Sequence, residues 1–217
     1  MKHFLIPIVV AWSLLAHARA SQPVSGETKG RTPSITMCIL IDNSGSMSDK
    51  RAGVMAASLA LVRASKAHDE VGIVDFNDES LNGLPSGEDF TRDPKEMEEA
   101  LAHIDSRGGS ALRDAVRASI DRVQQTAHND RKILVLVTDG NDTSSTATEE
   151  QLLGKVKNSG VRVYSIGLLN EADPNHAAAR LALERLAEAS GGRAYYPKDL
   201  AELGRISQEI ANGVRKQ

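Results

Sequence analysis

The sequence predicts an α/β fold of three layers: a doubly wound, mostly parallel sheet with one short antiparallel edge strand, and helices on both faces. Three observations carry this. From residue 34 onward, apolar runs of strand length alternate with segments of helical period. The strongest runs, Ile35 to Ile41 and Ile133 to Val137, are nearly continuous, as expected of strands covered on both faces. Each of these two runs leads directly into a polar loop, where such sheets place their ligands.

The elements follow in chain order. Residues 34–41 form the first strand. Residues 50–67 form a helix, because Val54, Leu59, Leu61 and Val62 share a broad apolar face among alanines. Residues 70–76 form the second strand, and 81–84 a weaker strand at the edge. Residues 93–106 open on Asp-Pro, a helix-start signal, and carry Met97, Leu101 and Ile104 at helical spacing. Residues 111–127 repeat that spacing with Leu112, Val116, Ile120 and Val123. Residues 132–137 form a buried strand, and 149–157 a helix whose exit Gly160 marks. A strand at 161–166 precedes an amphipathic helix at 177–189, which Gly191 and Gly192 end. A short strand at 194–196 and a helix at 200–214 close the chain. This alternation gives a Rossmann-like sheet.

The chain has 217 residues, and the expected domain, 34–217, is long enough for a core of its own. A hydrophobic content of 41% with 25% charged residues fits a soluble globular protein. Aromatics make up only 3%, which argues against a stacking platform for sugars or nucleic acid. A formal charge of −3 supplies no basic field for nucleic acid either.

Residues 1–20 read as a secretory signal peptide. Lys2 and His3 start it, an apolar stretch runs from Phe4 to Ala16, and Ala18-Arg19-Ala20 offers a small-x-small cleavage pattern. The apolar stretch is short for a bilayer span, so no stable span is expected after cleavage; retention as an anchor is the alternative. Residues 21–33, with Pro23, Gly26, Gly30 and Pro33, read as a flexible leader. The expected location is periplasmic or extracellular. The single cysteine, Cys38, lies inside the first apolar run, where a buried, inert thiol is expected.

Three polar segments carry the chemistry. The first strand runs into Asp42-Asn43-Ser44-Gly45-Ser46-Met47. The strand ending at Val137 runs into Thr138-Asp139-Gly140-Asn141-Asp142. Gly108-Gly109-Ser110-Ala111-Leu112 precedes a helix. All three offer carboxylates and hydroxyls, with no Cys or His. Hard oxygen donors suit Mg²⁺, Mn²⁺ or Ca²⁺ rather than zinc or copper. Two serines spaced by two residues in a tight loop let both hydroxyls point the same way, and Gly45 is expected to let that loop turn sharply. Ser46 and Ser110 each precede a helix, so helix capping is the bland reading of both.

At these residues the sequence resembles the von Willebrand factor type A family, whose metal-ion-dependent adhesion site reads Asp-x-Ser-x-Ser, then Thr, then Asp. Asp42-x-Ser44-x-Ser46 matches fully, Gly108 to Asp114 is similar to the family's Gly-Gly-Thr-Ala-Leu-x-Asp segment, and Val137 to Gly140 supplies the last Asp. Val71 to Phe76 is similar to the family's second strand, and the likeness runs from about Ile35 to the C-terminus. The resemblance implies a cation held by the hydroxyls of Ser44, Ser46 and Ser110 and by Asp42 and Asp139, directly or through water, with an acidic group of a protein partner completing the shell. Ser110 departs from the pattern by standing where Thr is usual. It keeps the hydroxyl and loses the methyl that restricts the rotamer. Asp114, four residues past Ser110, and after it Asp142 are candidates for orienting the metal loop, with a plain surface acid as the alternative, and Asn43 and Asn141 are candidates for its rim. A near repeat of the motif, Asp142-x-Ser144-x-Thr146, lies in a polar loop.

Non-catalytic, metal-dependent binding in adhesion or assembly is therefore the expected function. A metal-assisted hydrolase is one alternative, weakened by the lack of a basic clamp and by Ser44 standing where an aspartyl-nucleophile phosphatase carries a second Asp. An accessory subunit of an envelope complex is another, differing only in its partner. The sequence has no hydrolase elbow, no phosphate-binding Gly-Lys-Ser/Thr loop and no dinucleotide fingerprint.

Overall fold

The computed structural model describes residues 33–78, 80–102 and 104–216. The expected signal segment and all of the expected leader but Pro33 lie outside them. The elements are β1 (Ile35–Asp42), a 3₁₀ turn (Gly45–Lys50), α1 (Arg51–Ala64), β2 (Glu70–Phe76), β3 (Ser80–Asn82), α2 (Pro94–Leu101), α3 (Leu112–Thr126), β4 (Arg131–Thr138), α4 (Glu149–Lys157), β5 (Arg162–Gly167), α5 (His176–Ala189), β6 (Arg193–Tyr195) and α6 (Leu200–Lys216).

The strands form one sheet in the order β3-β2-β1-β4-β5-β6. All neighbours are parallel except β3, which pairs antiparallel with β2 at the edge. The predicted doubly wound sheet is therefore present. Every residue of β1 is buried, as its apolar run requires. The period of two sorts its side chains between the two faces. Ile35, Met37, Ile39 and Ile41 pack with α1, α2 and α6, while Cys38 and Leu40 pack with α3, α4 and α5. Cys38 is fully buried and unpaired, and burial pushes its thiol up to about 12, which makes it inert at neutral pH. No helix among the described residues is long and apolar enough to cross a membrane.

The chain leaves β1 for β2 on one side and returns to β4 on the other, so the winding reverses between β1 and β4. Two neighbouring parallel strands end there, Ile41 opposite Val137, at the position where such sheets bind ligands.

One element is shorter than its periodicity predicts. Residues 93–106 carry a helical pattern, yet α2 stops at Leu101. Ala102 N–H closes the last turn on Glu99 O at 3.1 Å, and three donors further on are taken by Asn43: Asp105 N–H donates to Asn43 Oδ1 at 3.1 Å, Ser106 N–H donates to the same oxygen, and Arg107 N–H donates to Asn43 O at 2.7 Å. Ile104 stays buried without being helical, which is why its spacing misleads.

Candidate functional site

Asp42, the last residue of β1, is fully buried. Its Oδ1 accepts the Ser44 N–H at 3.0 Å, and its Oδ2 accepts the Thr138 hydroxyl at 2.5 Å. Those bonds bridge the ends of β1 and β4 and fix the carboxylate. Burial nevertheless dominates and pushes the Asp42 carboxyl up to about 6, against the hydrogen bonds from Ser44 and Thr138 that pull it down. The negative charge is thus under-compensated by the protein around it.

Ser44 is buried and Ser46 exposed, and their hydroxyl oxygens lie 3.2 Å apart. The common orientation expected from the spacing of two is present. Gly45 acts differently from expectation. It is not among the glycines with positive φ. Its N–H donates to Gly108 O at 3.0 Å, tying the first loop to the third. The sharp backbone falls instead on Gly108, with φ 77°. At the next residue, a Cβ on Gly109 would lie 2.4 Å from Asp78 Oδ1.

Ser110 is 2% exposed, and its hydroxyl is buried with no hydrogen-bond partner. Its backbone, by contrast, is fully engaged: N–H donates to Thr143 Oγ1 at 3.0 Å, and the carbonyl accepts Thr143 N–H and Ser144 N–H at 2.8 and 2.9 Å. Ser58, Ser119 and Ser165 also carry unpartnered hydroxyls, but they sit within α1, α3 and β5, inside regular elements. Capping does not account for the site's serines. The 3₁₀ turn is preceded by Ser44, α1 by Lys50 and α3 by Ala111, and none of these positions has a side-chain cap bond.

Asp139 is buried at 4% exposure. Its Oδ1 accepts Asn141 N–H at 3.1 Å, and its Oδ2 lies 3.2 Å from Lys50 Nζ. Lys50 also donates to Ser46 O at 3.0 Å. Asp42, Ser44, Ser46, Ser110 and Asp139 are thus carried on three loops at one pole of the sheet, cross-linked by Thr138, Gly45 and Lys50. These five could hold a hard cation. Among the described residues no group of three or more His, Cys, Asp or Glu forms a ligand cluster, so the donor set here depends on hydroxyls.

The remaining candidates lie further out. Asn43, 4% exposed, is a hub: beyond its bonds to the 105–107 backbone, its Nδ2 donates to Asp75 and Asp105, both at 3.1 Å. Asn141 Nδ2 donates to Asp173 Oδ2 at 3.3 Å. Asp114 accepts Thr146 N–H and Oγ1–H at 2.7 and 2.9 Å and Ala147 N–H at 3.0 Å, stapling the loop before α4. Asp142 accepts Arg113 N–H at 2.8 Å and the Ser145 hydroxyl at 2.7 Å. The near repeat disperses: Asp142 binds Arg113, Ser144 binds Asp78 at 2.8 Å, and Thr146 binds Asp114.

Sequence reading missed Thr138 and Lys50. Thr138 was visible as a hydroxyl at the end of an apolar strand beside Asp139. Lys50 had no such signal, since its partner lies 89 residues away.

The family model described as "von Willebrand factor type A domain" matches residues 37–209. No curated protein matches the chain. Among solved structures, a von Willebrand factor type A protein from Catenulispora acidiphila is similar with TM-score 0.70 and 21% identity, over 84% of this chain and 43% of that one. This chain therefore spans less than half of that protein. The conserved hypothetical protein BatB from Bacteroides thetaiotaomicron gives TM-score 0.64 and 18% identity, over 84% and 100% of the two chains. The vWF domain of a type V pili tip protein from Porphyromonas gingivalis gives TM-score 0.67 and 13% identity, over 86% and 98%.

Proposed function

The chain belongs to the von Willebrand factor type A domain family, and on that premise we propose that it is a non-catalytic, exported binding protein whose divalent cation bridges to an acidic side chain of a protein partner. Asp42, Ser44, Ser46, Ser110 and Asp139 are the proposed ligands, and Mg²⁺ the first-choice ion, with Mn²⁺ or Ca²⁺ as substitutes. The observation that carries the reading is the Ser110 hydroxyl, buried in a site loop with no partner. A buried hydroxyl left unsatisfied costs about 1–3 kcal/mol, and a cation at this pole would supply the missing interaction.

The chain's own groups divide the work. Thr138 and the Ser44 N–H hold the Asp42 carboxylate in place. Ser44, Ser46 and Ser110 offer neutral lone pairs, and only Asp42 and Asp139 bring charge. When bound, a divalent ion would be balanced by these two carboxylates while most of its shell is neutral oxygen, so a partner's carboxylate could replace a weakly held neutral ligand. Adhesion or assembly is the role that fits, as an independent binder or as an accessory subunit of an envelope complex. Two of the similar structures point the same way by their descriptions, a pilus adhesin from Lactobacillus rhamnosus GG and the pili tip protein above.

Pull-down from envelope extract tests this. The expected result is a partner retained in Mg²⁺, released by chelator, and absent with Asp42→Ala. A partner that stays on Asp42→Ala, or through chelation, would sink the mechanism.

A further inference from the structure

The inference concerns Lys50 and rests on the cation reading just given. Its ammonium lies 3.2 Å from Asp139 Oδ2 and 3.0 Å from Ser46 O, so one side chain bridges two of the loops that carry proposed ligands. The Lys50 side chain is only 18% exposed and that of Asp139 only 3%; among the described ion pairs only Arg215–Asp69 is more buried. Lys50 is the sole cation within ion-pair distance of either Asp42 or Asp139 among the described residues. It closes the 3₁₀ turn that holds Ser46, so its backbone stays anchored at the site.

We infer that Lys50 is the site's built-in counter-ion: its ammonium neutralises Asp139 when no metal is present and must leave that carboxylate for a divalent ion to bind. Two reasons support displacement rather than coexistence. The ammonium occupies the Asp139 oxygen that is not committed to the Asn141 N–H. An ammonium and a divalent ion on the same carboxylate, itself only 4% exposed, repel each other. The lysine therefore holds the loops together in the metal-free protein and lowers cation affinity, so that loading requires an exchange of one cation for another.

Calorimetric titration of the chain with MgCl₂ and MnCl₂ tests this, comparing wild type with Lys50→Met, Lys50→Arg and Asp42→Ala. Lys50→Met keeps the apolar stem and removes the charge, and is expected to bind about tenfold tighter than wild type. Lys50→Arg keeps the charge and is expected within about threefold of wild type. Asp42→Ala is expected to bind nothing. If wild type binds and Asp42→Ala does not, but Lys50→Met binds no tighter than wild type, the counter-ion role is overturned while the cation site stands. If wild type takes up no cation, the cation reading falls and this inference falls with it. A second readout is acetylation of Lys50 by an amine reagent, followed by mass spectrometry against exposed Lys157. Saturating Mg²⁺ is expected to speed Lys50 labelling and leave Lys157 unchanged; an unchanged Lys50 rate would overturn displacement.

Discussion

At the amino ends of the strands, Glu70 is 3% exposed; at the carboxyl ends, Asp42 is fully buried. Burial raises both carboxyls, yet they end on opposite sides of their ordinary values. Around Glu70, burial is outweighed by the Thr36 hydroxyl at 2.5 Å, the His128 N–H at 2.6 Å, the His128 ring and the Asn129 N–H, so its carboxyl is lowered. Arg92 adds a cation at 3.3 Å. Beside it, Asp69 accepts the Ile35 and Lys66 N–H groups and pairs with buried Arg215. Asp42 has fewer donors, no cation of its own and a raised carboxyl. The amino pole is thus closed by groups the chain itself supplies. The carboxyl pole leaves the Asp42 carboxylate without a cation of its own and holds a buried hydroxyl without a partner.

The largest effect that would test this contrast is at the amino pole. Asp69→Ala strands the buried Arg215 charge and two backbone donors, and should cost about 3–5 kcal/mol in urea unfolding, with cation affinity of the folded protein unchanged. A mild loss there would break the distinction between the poles. Next comes Ser110→Ala. It should weaken cation binding by about tenfold while raising stability without cation by about 1 kcal/mol, because it removes a buried hydroxyl that has no partner. Ser110→Thr should tighten binding by a few-fold if rotamer freedom is what the missing methyl costs. The smallest effect concerns acid. The Glu70 carboxyl is lowered on folding, so its contribution is present above the unfolded value near 4.5 and is lost as pH falls through the folded value. Glu70→Gln should flatten the acid limb of the stability curve, measured by denaturant midpoints from pH 5 down to pH 2. An unchanged slope would remove Glu70 from the account.

Helical and strand periods placed nearly every element, since burial of a regular element writes itself as a local pattern. The failures are informative. The end of α2 follows from Asn43 capturing three backbone N–H groups from 62 to 64 residues away, which no local pattern records. The motif residues were legible because three polar segments, in order, resemble the family's motif. Their setting was not. Asp114, Asn141 and Asp142 looked alike in the sequence as polar neighbours of a motif, and the fold gives them to different loops.

The sequence by itself determined the alternation of strand and helix and the burial of β1 and β4, because local period suffices for each; the five oxygen-bearing residues it singled out came from the resemblance of three segments to a family motif. Only the tertiary structure decided that the Ser110 hydroxyl is left without a partner, that Thr138 holds Asp42, and that Lys50 sits on Asp139. Those depend on which loops meet at the carboxyl ends of β1 and β4, and long-range contacts of that kind leave no mark on the spacing of residues along the chain.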